Sequence, residues 1–88
     1  MREEERAWIL FKLLRHWGGK HTSLDNLPKG QPKNVAKQIK EACKEMIKDG
    51  LILSKPTHYG LEISLNPRRK KEIIEIVSKY YDIPFDIF

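Results

Sequence analysis

The chain has 88 residues, 40% of them hydrophobic and 33% charged, with a formal net charge of +5 at pH 7. That length yields one domain with one modest core, too small for a deep catalytic pocket, and the composition is globular rather than disordered. The lone Cys43 excludes an internal disulfide framework, and no metal-ligand spacing or apolar run of membrane-spanning length is present.

The first helix is expected over about Glu3 to Trp17. Ala7, Leu10, Phe11, Leu14 and Trp17 recur at spacings of three and four, and Leu13 widens that face. Glu3, Glu4 and Glu5 suit a helix start, and the glycine pair at 18–19 suits its end. Trp8 falls off the main stripe, so it is either exposed or part of a second contact. In "HTSLDNLPKGQP", Ser23 can cap a short helical turn with Leu24 and Leu27 inward, before Pro28 and Gly30 stop it. The stretch 32–50 is the most regular helix. Pro32 is placed at its first position, Val35, Ala36, Ile39, Ala42, Cys43, Met46 and Ile47 form its apolar stripe, and Gly50 follows its end. Two strands, 51–55 and 61–65, flank "PTHYG" as a hairpin; Leu61, Ile63 and Leu65 alternate with Glu62 and Ser64. A last helix is expected from Pro67 to about Tyr81, followed by the apolar tail "DIPFDIF".

The expected order is helix, short helix, long helix, hairpin, helix, with no repeat or linker. This is an α+β chain. Three stretches carry a resemblance to the winged helix-turn-helix family, particularly to small MarR-like and archaeal regulators. "SLDNLPKGQPKNVAKQI" looks like the second helix, the turn and the start of a recognition helix. "MIKDGLI" is similar to the step that turns into the wing. "LEISLNPRRKKEI" resembles the second wing strand entering a C-terminal helix. The resemblance implies one winged-helix domain over 1–88, with three helices, a two-stranded wing and a C-terminal helix. It also implies a dimer bound to double-stranded DNA, with the third helix in the major groove and the wing on the backbone.

The charge distribution agrees with an anionic partner. Residues 28–71 hold eleven Lys or Arg against four Asp or Glu, a net +7, whereas residues 72–88 net −3. Lys33, Lys37, Lys40, Lys44 and Lys48 fall within an arc of about 80° on the long helix, away from its apolar stripe. At its N-terminal end Lys33, Asn34, Lys37 and Gln38 are the candidate base contacts, because Lys can address guanine and Asn or Gln adenine. Candidate phosphate contacts are Lys29, Gln31, with backbone N–H groups nearby, Lys40, and the wing residues Lys55, Thr57 and His58. A plain solvated face is the competing reading, in which Glu41 pairs with Lys44 and Glu45 with Lys48. Tyr59 either contacts the nucleic acid or tucks beside the hairpin, and His58 also reads as an ordinary loop residue.

"SLNPRRKKEI" places four cations at a helix start, where acids belong. Arg68 precedes Glu72 by four residues and Lys71 precedes Glu75 by four, so these two have helical partners. Arg69 and Lys70 have none, and are expected either on phosphate or beside an acid of another helix.

The apolar surplus of the two end helices and tail marks an interface. Trp8, Tyr80, Tyr81, Ile83, Phe85, Ile87 and Phe88 are the candidate dimer seam, unless the tail folds back on its own first helix. The catalytic and metal readings are weak: His16, His21, His58 and Cys43 share no ligand spacing, and "GGKHTS" lacks the upstream glycine and preceding strand of a P-loop. No enzyme activity, cofactor or small-molecule ligand is expected. The acidic start lacks a signal-peptide h-region, so a cytoplasmic location is expected. The leading function is a sequence-specific DNA-binding regulator. The alternatives are a winged-helix protein-interaction module within a larger complex, then an RNA-binding module.

Overall fold

Glu3–Trp17 form α1, whose first turn carries Glu3, Glu4 and Glu5 at the positive end of the helix dipole. In the computed structural model, residues 3–17, 20–58 and 60–83 are described, with His16 and Trp17 described for their backbone alone. α1 buries Ala7, Ile9, Leu10, Leu13 and Leu14. Trp8 is neither exposed nor buried; it packs on the margin of the core with the Lys12 ammonium 5.0 Å from its ring centroid.

Beyond the expected hairpin, the structure contains a third strand. Thr22–Ser23 form β1, which pairs antiparallel with the later strand β3, Gly60–Leu65, through Thr22 opposite Ile63 and Ser23 opposite Glu62. Two residues carry no alternation, so periodicity has nothing to register there. Ser23 caps a 3₁₀ turn at Leu24–Asn26, its hydroxyl accepting from the Asp25 N–H at 3.3 Å, and Leu24 and Leu27 are buried as expected.

The long helix, α2, spans Lys33–Asp49. Pro32 stands just outside it, one residue earlier than expected, with its carbonyl accepting from the Ala36 N–H at 2.8 Å. α2 buries Ile39, Ala42, Cys43 and Met46, while Val35, Ala36 and Ile47 are half-buried. Gly50 closes α2 at φ 85°, a left-handed conformation that glycine adopts without strain, and its N–H donates to the Ile47 and Met46 carbonyls.

Strand β2, Ile52–Thr57, pairs with β3 from Ile52 opposite Leu65 to Thr57 opposite Gly60, giving the sheet order β1-β3-β2. Both strands reach closer to the loop than the expected 51–55 and 61–65. The last helix also differs from the expected 67–81. Asn66 caps a 3₁₀ turn at Pro67–Arg69, its side chain accepting from the Arg68 N–H at 3.0 Å. The α-helix proper, α3, spans only Lys70–Ser78 and buries Ile73 and Val77. The result is an α+β fold with three α-helices and a three-stranded antiparallel sheet around one apolar cluster.

The described part of the tail closes on its own chain. The Tyr81 ring stacks on Phe11, centroids 4.4 Å apart and planes 2° from parallel, and Ile83 packs against the core. Tyr81 and Ile83 thus have contacts within the chain and stay partly exposed. Phe85, Ile87 and Phe88, and the tyrosine at position 59, lie outside the described residues.

Candidate nucleic-acid interface

α2 positions the basic residues. Its amphipathic spacing turns Ile39, Ala42, Cys43 and Met46 inward and leaves Lys33, Asn34, Lys37, Gln38, Lys44 and Lys48 exposed. The first turn carries no acid, so Lys33 stands where the helix dipole favours a negative charge. Local helix energetics does not explain that choice.

Two of the three acids of α2 are drawn away from the lysines. Arg6 of α1 reaches Asp49 Oδ2 at 3.0 Å and Glu45 Oε2 at 3.9 Å. The expected pairs of Glu41 with Lys44 and Glu45 with Lys48 do not form among the described residues; Glu45 turns to Arg6 instead, and Glu41 has no ion pair there. Lys33, Lys37, Lys44 and Lys48 have no ion pair there either. Lys40 differs. Its Nζ lies 2.8 Å from Asp25 Oδ1, and this ammonium holds the Asp25 carboxyl below its ordinary range.

The approach to α2 is exposed at Lys29 and Gln31, around Gly30 at φ 86°. The Gln31 N–H is already given to the Pro28 carbonyl at 3.0 Å, so this donor is not open to a phosphate, contrary to expectation. The side chains of Gln31 and Gln38 border a cleft between α1 and α2, to one side of the lysine face. On the hairpin, Lys55 is exposed opposite Glu62, and His58 is exposed at the tip. The Thr57 hydroxyl donates to the Gly60 carbonyl at 2.8 Å and closes the turn.

Arg69 has a helical partner, contrary to expectation, because Glu72 lies one turn ahead at i,i+3 rather than i,i+4. Nε and Nη2 of Arg69 each lie 2.7 Å from a Glu72 carboxylate oxygen, and Nη1 donates to the Asp49 carbonyl at 3.1 Å. The fork depresses the Glu72 carboxyl and raises the Arg69 guanidinium, with Asp49 adding to the latter. The expected Arg68–Glu72 and Lys71–Glu75 pairs are not formed among the described residues. Arg69 therefore closes the C-terminal end of α2, about 24 Å along the helix from Lys33. Lys70 is exposed in the first turn of α3.

Of the residues expected at a dimer seam, Tyr80 is 44% exposed, and its hydroxyl donates to Glu3 Oε1 at 3.4 Å, beside Lys79 at 3.2 Å from the same oxygen. Partial burial, then Glu3, pushes the Tyr80 phenol up. Burial pushes the Cys43 thiol up to about 12. Among the described residues no three His, Cys, Asp or Glu side chains gather into a metal-sized group, and no helix is long and apolar enough to cross a membrane. The Arg6 link and the α1–α2 cleft had no signature in the sequence, because both depend on how two helices cross. Compared with known proteins, the chain matches no family model, no curated protein and no solved structure.

Proposed function

We propose that the chain is a winged helix-turn-helix protein that binds double-stranded DNA and regulates transcription. The supporting observation is the segregation of charge on α2. Lys33, Lys37, Lys44 and Lys48 face solvent without an ion pair among the described residues, while Glu45 and Asp49 are held by Arg6. An α-helix fits the major groove, and lysines along its length neutralise phosphates on the groove walls. Lys33, Asn34 and Lys37 form the base-reading end, with Gln38 at its margin. Lys29 before α2 and Lys55, Thr57 and His58 on the hairpin contact the backbone. Arg69 is committed to Glu72 and α2 and has no part in this reading. A homodimer would use the exposed Tyr80 with tail residues outside the described ones; light scattering on the full chain decides this.

Selection from a random duplex pool tests the reading. The chain enriches a short motif, and Lys33→Ala/Lys37→Ala changes the enriched bases as well as the affinity. Enrichment of no motif by either protein would leave only backbone binding. Absence of all duplex binding would favour a protein-interaction module.

A further inference from the structure

The α1–α2 cleft lies on a different flank of α2 from the lysine face. It has a volume of about 250 Å³. Its floor is apolar, made by Ile9, Val35, Ile39 and Ala42, and the half-buried Trp8 indole forms one wall. Its rim is polar: the Glu5 carboxylate on α1 and the amides of Gln31 and Gln38. All three rim side chains are exposed and make no hydrogen bond or ion pair among the described residues.

Glu3 has Lys79, Asp25 has Lys40, Glu72 has Arg69, and Asp49 has Arg6. Glu5, like Glu4, Glu41, Glu62, Glu75 and Asp82, has no ion pair among the described residues, and of these it is the one that borders the cleft. The recess that continues the cleft past Gln38 and Ala42 adds Glu41 and Glu45, the latter 3.9 Å from Arg6, and the residues lining the cleft and the recess include no basic one. An apolar floor with an aromatic wall and an anionic rim is complementary to an amphipathic cation. A carboxylate ligand would meet Glu5 instead.

We propose that this cleft binds a small aralkylammonium ion. The ammonium sits against Glu5, the hydrocarbon body covers Val35 and Ile39 beside the Trp8 indole, whose ring already carries the Lys12 ammonium at 5.0 Å, and the amides of Gln31 and Gln38 take any further polar group. The site does not depend on DNA binding and is tested without it. The probe is phenethylamine, with 3-phenylpropionate as the counterpart of opposite charge. Binding is followed by NMR on the Trp8 indole N–H, assigned with Trp8→Phe, and on the two glutamine amides. A ligand of this size is expected to bind with a dissociation constant on the order of 1 mM.

Phenethylamine is expected to shift all three signals and 3-phenylpropionate to shift none. Glu5→Gln, an exposed change that leaves the core intact, is expected to weaken the amine by about fivefold or more. A smaller loss in Glu5→Gln overturns the proposal, as does equal binding of the two probes or an absence of shifts with the amine at several times that concentration.

Discussion

Lys40 Nζ lies 2.8 Å from Asp25 Oδ1, and the contact ties the middle of α2 to the 3₁₀ turn before it. One of five lysines on the face is thereby engaged within the chain. Lys40→Ala is therefore expected to weaken duplex binding less than Lys37→Ala, and to leave more of the salt dependence in place. Asp25→Asn releases the ammonium and is expected to tighten binding at low salt. Fluorescence anisotropy of the three variants on one labelled duplex checks the order.

Gly50 and Gly30 share a left-handed backbone, at φ 85° and 86°, but not the same surroundings. A Cβ at Gly30 would meet open space, whereas at Gly50 it would lie 3.1 Å from Arg69 Nη1. That atom is held by the Asp49 carbonyl, and the rest of the guanidinium by Glu72. Gly30→Ala is expected to cost about 1–2 kcal/mol from backbone strain alone. Gly50→Ala is expected to cost more, and Arg69→Ala in that background to reduce the difference. Urea unfolding of the three variants measures it, and equal costs at the two glycines would reject the steric contact.

The Tyr81–Phe11 stack holds the start of the tail on α1. Tyr81→Ala is expected to lose about 1–3 kcal/mol of stability from lost apolar contact and stacking. A double-mutant cycle with Phe11→Ala is expected to recover a coupling of about 0.5–1.5 kcal/mol. Zero coupling would mean the rings do not meet in solution.

Two carboxyls lie below their ordinary values in the fold, Asp25 from 3.8 beside Lys40 and Glu72 from 4.5 beside Arg69. Between each ordinary value and the depressed one, the unfolded chain binds more protons, so stability rises with pH there. The contribution is fully present above about pH 5 and is lost as pH falls through the lowered values. Both groups are exposed and screened, so the effect is small. Asp25→Asn/Glu72→Gln is expected to flatten the acid limb of the unfolding midpoint against pH. An unchanged limb would place the acid sensitivity elsewhere.

Cys43 is buried, and its thiol is raised to about 12. At pH 8 the native chain is expected to react with a thiol reagent far more slowly than the chain in denaturant. Comparable rates would mean that α2 opens readily from the core.

Long-range order was legible where periodicity is sustained. α2 repeats its apolar spacing over nearly five turns and β3 alternates in sequence, although Ser64 is buried with its neighbours, so the expected bounds of both lie within a residue of the structure. β1 is two residues long and is defined only by its partner, Ile63 and Glu62 on β3. α3 starts at Lys70 rather than Pro67 because Asn66 and Pro67 signal a 3₁₀ turn as well as an α-helix start. In the candidate site, exposure of Lys33, Asn34, Lys37 and Lys55 followed from pattern alone. The fates of Lys40, Arg69 and Glu45 did not, because their partners are in other elements or at an alternative helical spacing. Sequence spacing cannot tell a free lysine from a tethered one; three-dimensional crossing of α1, α2 and the 3₁₀ turns decides it.

The salt dependence of duplex binding tests the central claim most directly. With four untethered lysines on α2 and the backbone contacts of Lys29 and Lys55, the logarithm of affinity is expected to fall against the logarithm of salt concentration with a slope of about −5. Lys37→Ala is expected to flatten that slope by about 1. A slope near zero, or no binding to any duplex at low salt, would contradict the assignment of α2 as a DNA-binding helix.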